Sequence, residues 1–159
     1  DTHHLIQQVL DHKVDGAFVY GPVEHAAVRQ LHVSHDELVL ISSREGTAED
    51  MLQQPMLFFG AGCSHRDRVK RLLEEAGIHN QKIIEFGTLE AIIKGVSAGM
   101  GTALLPKSAV DGSEHRTNVW IHQLPPSYQD LEIVFIYRKD FFITSAFQTF
   151  LDEINEMKR

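Results

Sequence analysis

The chain has 159 residues, of which 43% are hydrophobic and 23% charged, with a formal net charge of −7, ten histidines and one cysteine. That length allows one domain with a sizeable core or two small lobes. The acidic balance and the lack of a dense Lys/Arg cluster argue against DNA binding by these residues, a single cysteine excludes an internal disulfide and suits a reducing compartment, and no apolar run approaches the ~18 residues of a membrane span.

In chain order, Asp1 or Thr2 caps a first helix whose apolar stripe is Leu5, Ile6, Val9 and Leu10. Its polar start, "DTHHLIQQVLDHK", does not read as a signal peptide. "GAFVYGP" (16–22) reads as a short buried strand closed by a Gly-Pro turn, and "ELVLISS" (37–43) as a second strand. "TAEDMLQQP" (47–55) is a short helix ended by Pro55, because the residue before proline avoids the helical region. "MLFFG" (56–60) is a strand, and helical spacing from Ser64 places Val69, Leu72, Leu73 and Ala76 on one face before Gly77 stops the helix. "KIIEFG" (82–87) is a strand. Thr88 then caps a helix with Leu89, Ile92, Ile93 and Val96 on its apolar face, ended by Gly99 and Gly101. "TALLP" (102–106) is a strand, "KSAV" a helical turn and "DGSEHRTN" a polar loop. "VWIHQL" (119–124) and "EIVFIYRK" (132–139) are strands joined by "PPSYQD", and a last helix capped near Thr144 or Ser145 buries Phe147, Phe150, Leu151 and Ile154. From Pro55 to Pro106 the order strand, helix, strand, helix, strand, in near-continuous apolar runs, predicts a parallel sheet covered on both faces.

The stretch "GAGCSHRDRVKRLL" (60–73) carries the most chemistry. A nucleophilic Cys63 would need a base within reach, and adjacent His65 does not face it on a helix. The plainer reading is a small residue in a strand-to-helix turn. Ser64 with Asp67 forms a capping box, and Gly60 and Gly62 let the backbone turn tightly and approach a ligand. Free N–H groups at such a helix start attract a carboxylate or other anion, to which Arg66 or Arg68 could add charge; a plain cap with solvated arginines is the alternative. "EFGTLEAI" repeats the device at Gly87 and Thr88, so the two turns are expected to face one cleft at the carboxyl ends of the strands. No metal site is expected: His3-His4 and His32-x-x-His35 lack any ligand-spaced partner and read as surface histidines. "GVSAGMG" follows a helix instead of opening one, so it is not a phosphate-binding loop.

The ordered segments "LIQQVLDHKVDGAFVYGP", "ELVLISS", "GCSHRDRVKRLLEEAGI", "FGTLEAIIKGVSAGMGTALLPKSAV" and "IVFIYRKDFFITSAFQTFLDEI" resemble the effector-binding domain of LysR-type transcriptional regulators. The "V-x-A-G-x-G-x-x-L-L-P" pattern (96–106) is its most specific part, and the match covers nearly the whole chain. The resemblance implies an α/β, type 2 periplasmic-binding-protein fold, with two Rossmann-like lobes joined by two crossing hinge strands. Lobe I would be residues 1–42 and 139–159, lobe II residues 43–138. It further implies a small metabolite, expected to be anionic, bound between the lobes, with no cofactor, no metal and no catalysis. Carried over, the effector contacts are Thr2, Tyr20, Gly21, Cys63 and Ser64, and less directly Thr88 and the Gly99–Thr102 turn with Gly101 and Thr102.

Family members begin with a basic winged helix-turn-helix, a linker helix and the strand and helix that open lobe I. None of these is in the chain, so lobe I is expected to be incomplete. DNA would be bound only through the absent N-terminal domain. The remaining expectations are self-association as a dimer or tetramer, a cytoplasmic location and no membrane contact. A solute-binding protein of a transporter, which shares the fold, and a thiol enzyme using Cys63 are the alternatives.

Overall fold

The computed structural model describes residues 2–60, 66–79 and 81–156. The chain divides into two compact units, one made of residues 1–35 and 131–159 and the other of residues 36–130.

In the first unit, helix α1 (Thr2–Leu10) leads to strand β1 (Gly16–Tyr20), and then to the first part of β2 (Val28–Ser42). The chain returns to this unit along β7 (Asp130–Arg138) and ends in α7 (Ser145–Glu156). β1 pairs antiparallel with β7, from Gly16 opposite Tyr137 to Tyr20 opposite Ile133, and β7 lies between β1 and β2. Successive strand residues point to opposite faces, and both faces are covered. Ala17, Val19, Val134 and Ile136 pack with Val9 and the rest of the α1 stripe. Phe135 packs on the other side with Leu151 and Ile154 of α7. There it makes ring contacts at 5.1 Å with Phe18 and Phe150. Thr144 caps α7, accepting from the Phe147 N–H at 3.2 Å.

The second unit takes up β2 at Asp36. It continues through α2 (Ala48–Leu52), β3 (Met56–Phe59), α3 (Arg66–Glu75), β4 (Ile83–Phe86), α4 (Leu89–Ser97), β5 (Ala103–Pro106), α5 (Lys107–Asp111), β6 (Trp120–His122) and α6 (Pro126–Gln129). β3 and β4 are parallel, Met56 opposite Ile83 and Phe59 opposite Phe86. β5 touches this pair by one parallel bridge, Thr102 to Met56. It spends its ladder on β2, antiparallel, from Leu38 opposite Pro106 to Ile41 opposite Ala103, and β6 pairs with the other edge of β2. The core gathers Val39, Ile41, Leu57, Ala103 and Leu105 from the strands with Ile92, Ile93 and Val96 of α4. Each Val, Leu or Ile side chain there contributes about 2 kcal/mol by leaving water. At Gly95 the helix lies so close that an added Cβ would stand 2.7 Å from Leu57 Cδ2.

Three expectations change. The run from Pro55 to Pro106 is not one fully covered parallel sheet: among the described residues β4 pairs with β3 alone, and its residues Ile83 and Glu85 are exposed. The strand expected at 37–43 begins nine residues earlier, at Val28, within the other unit. "PPSYQD" contains a short helix, for which Pro126 supplies a preset φ in the first turn. The units exchange the chain at 35/36 and 130/131, where the sequence reading expects crossings at 42/43 and 138/139.

Candidate functional site

In a parallel α/β sheet every strand's carboxyl end opens into the turn that starts the next helix. Here the carboxyl ends of β3 and β4 lie side by side: Phe59 is opposite Phe86, and the Gly60 N–H donates to the Phe86 carbonyl at 3.2 Å. The turns at Gly60 and Gly87 are therefore neighbours. Among the described residues nothing stands within 4 Å of an added Cβ at either glycine. Thr88 follows directly, in extended conformation, and its Oγ1 accepts from the Ala91 N–H at 3.2 Å. That satisfies one of the first-turn donors of α4 and leaves the Thr88 O–H free to turn outward as a donor. The first-turn N–H groups and the aligned peptide dipoles give this end of α4 partial positive character. Cys63 and Ser64, expected on the neighbouring turn, lie outside the described residues.

Gly101 and Thr102 are placed differently. Because β5 runs parallel to β3, the turn that precedes it sits at the amino end of the ladder, level with Met56 and away from Thr88. Both residues are buried, and the Thr102 hydroxyl donates to the Met51 carbonyl at 3.2 Å. A Cβ at Gly101 would stand 2.1 Å from the Pro55 carbonyl oxygen. This turn is packed into the protein, and its chemistry is to hold β3 against β5.

In the first unit, Arg138 Nη1 donates to the Val9 carbonyl at 2.9 Å, next to the Gly16–Tyr137 end of the β1–β7 ladder. The last turn of α1 is thereby held at that end of the ladder, and Thr2 opens the helix, at its other end. Gly21 donates its N–H to the Glu132 carbonyl at 2.9 Å and precedes a cis proline. A side chain there would stand 2.9 Å from Val134 Cγ1. Beside it, His32 Nδ1 and Glu132 Oε1 lie within hydrogen-bond distance at 3.1 Å, and the His35 ring lies 4.6 Å from that of His32.

Three polar ties escape the sequence reading. The Asp36 carboxylate accepts from Ser108 at the start of α5, from N–H at 3.3 Å and from Oγ at 2.5 Å. Arg68, in α3, donates to the Asp130 carbonyl. Buried Ser42 and His122 hydrogen-bond at 2.7 Å. All join residues that are distant along the chain, and only pairing register brings them together. Among the described residues no group of three or more His, Cys, Asp or Glu could hold a metal ion, and no helix is long and apolar enough to cross a membrane.

The model of the LysR substrate binding domain matches residues 1–159. The chain is 50% identical over 158 residues to the HTH-type transcriptional regulator YofA of Bacillus velezensis, covering 99% of this chain and 55% of that protein. It is 38% identical over 159 residues to the HTH-type transcriptional regulator GltR of Bacillus subtilis, covering 98% and 54%. It thus spans about half the length of the curated relatives it matches. Among solved structures, the regulatory domain of Synechocystis CcmR in complex with 2-PG superposes with a TM-score of 0.84 at 17% identity, covering 100% of this chain and 80% of that one. The effector binding domain of QuiR in complex with shikimate gives 0.81 at 21% identity, covering 99% and 78%. The fold is the type 2 periplasmic-binding-protein fold of these regulatory domains. By the match along its whole length, the chain belongs to the LysR substrate binding domain family.

Proposed function

We propose that this chain is the effector-sensing part of a LysR-type transcriptional regulator and that its ligand is a small anionic metabolite. The observation that carries the reading is the turn at Gly87–Thr88, which starts α4 beside Gly60 at the ends of two parallel strands. The Thr88 turn presents the first-turn N–H groups of α4 and a hydroxyl donor, which suit a carboxylate or phosphate. By the family resemblance, Cys63 and Ser64 are further candidate effector contacts. Thr2, Tyr20 and Gly21 are candidate contacts on the same ground. Gly101 and Thr102 support the fold instead of touching the ligand.

Binding shifts a population between two conformations without catalysing a reaction. The shift controls DNA binding by a winged helix-turn-helix encoded outside this sequence, in a cytoplasmic protein that self-associates as a dimer or tetramer. The test is a thermal-shift screen of carboxylated and phosphorylated metabolites against the chain. At least one should raise the melting temperature. Thr88→Ala should weaken that compound's binding, and its lost cap costs about 1 kcal/mol of stability. A flat screen, or a hit bound equally by Thr88→Ala, refutes the reading.

A further inference from the structure

The second unit begins at Asp36 and ends at Asp130, so these are the residues at which the chain enters it along β2 and leaves it toward β7. Both are hydrogen-bonded to a helix of the group that opens from the carboxyl ends of β3, β4 and β5. Asp36 receives the Ser108 N–H and hydroxyl at the start of α5. Its Oδ1 also accepts from the Glu37 N–H at 2.7 Å, which fixes the carboxylate's orientation. Asp130 offers its carbonyl to the Arg68 guanidinium, in the first turn of α3. α3 is tied to the same exit a second time, because the Tyr128 hydroxyl donates to Glu75 at the last residue of the helix. The segment 128–130 thus holds α3 at both ends.

We infer that Arg68 and the Asp36–Ser108 pair are positioning residues that couple the helix starts of the second unit to the two strands by which the chain enters and leaves it. A helix of ten residues such as α3 is stiff, so a displacement of its first turn is carried through Arg68 to Asp130. α5 follows β5 without a linker, so a displacement at Lys107 reaches Asp36 through Ser108. Hydrogen bonds with one charged partner are about twice as strong as neutral ones, which suits them to a mechanical role. The signalling purpose of this coupling rests on the sensor reading above; the coupling itself does not.

Amide hydrogen exchange on the ligand-free chain tests it. Arg68→Ala should speed exchange roughly tenfold at Leu131–Val134 of β7 while leaving Leu38 and Val39 protected. Ser108→Ala should do the opposite, loosening Glu37 and Leu38 and sparing β7. Arg68→Lys, which keeps a cationic donor, should restore protection, and a merely space-filling role would not predict that order. Wild-type exchange at these amides in both variants overturns the proposal, and so does an even rise across all strands, which is lost stability alone. If Arg68→Ala does not fold, Arg68→Gln replaces it under the same criteria. A flat metabolite screen together with this selective exchange pattern would sink the sensor reading and leave the coupling standing.

Discussion

Replacing Gly101 by alanine should be far more damaging than the same change at Gly60 or Gly87. The added Cβ would stand 2.1 Å from the Pro55 carbonyl oxygen and 2.8 Å from Leu57 Cδ1, so backbone must move. The same stretch carries two hydrogen bonds, Thr102 N–H to Pro55 O and Leu57 N–H to Thr102 O, both 2.8 Å. Losing both costs about 2 kcal/mol, and holding alanine at a φ of +157° adds about 1–2 kcal/mol. The sum, about 3–4 kcal/mol, is a large share of the roughly 5–15 kcal/mol by which domains are stable. Urea unfolding followed by circular dichroism measures it. At a slope of about 2 kcal/mol per molar, the midpoint should fall by about 1.5–2 M. Gly60→Ala and Gly87→Ala, where no described residue lies within 4 Å of the added Cβ, should move it by less than about 0.3 M. A midpoint for Gly101→Ala within about 0.5 M of wild type at unchanged slope would refute the argument that this turn is structural.

Two further outcomes follow from the polar contacts. Ser42→Ala should cost about 1–3 kcal/mol in the same assay, because it strands a buried His122 N–H; a loss below about 0.5 kcal/mol would contradict the burial of that pair. The hydrogen bond to Glu75, and then burial, push the Tyr128 hydroxyl above its usual range. A phenol that holds its proton more tightly when folded adds stability that is complete below about pH 10 and is lost as pH rises beyond it. Wild type should therefore lose more stability than Tyr128→Phe between pH 9 and 11 in thermal melts, and parallel losses would show that this group is not involved.

Helices α1, α4 and α7 were legible because each has one apolar stripe at helical spacing, with a threonine cap at α4 and α7, although Phe150 of the α7 stripe, expected to be buried, is exposed. The first half of β2 was not. Its burial runs irregularly from Val28 to Glu37, without the alternation that marks a half-covered strand, so "VRQLHVSHDE" reads as loop. The turn at Thr88 was readable from strand, glycine and cap in order. The Gly101 turn has the same residue types, and the distinction was available in the sequence: a turn that follows a parallel strand lies at the carboxyl end, one that precedes it at the amino end. What no local pattern contains is register. Asp36 with Ser108, Arg68 with Asp130 and Ser42 with His122 are 72, 62 and 80 residues apart.

Ser42 also fixes a chemical identity that can be observed directly. Its single hydroxyl hydrogen is given to the Arg44 carbonyl at 2.5 Å, so toward His122 the oxygen can only accept. The proton-bearing nitrogen of the His122 ring is therefore Nε2. Ring tautomers differ widely in their nitrogen-15 resonance frequencies, and His122 pairs across the ladder with Leu40 of β2. An isotope-labelled sample consequently carries a built-in reporter on the strand through which the chain enters the second unit, with no dye or tag required.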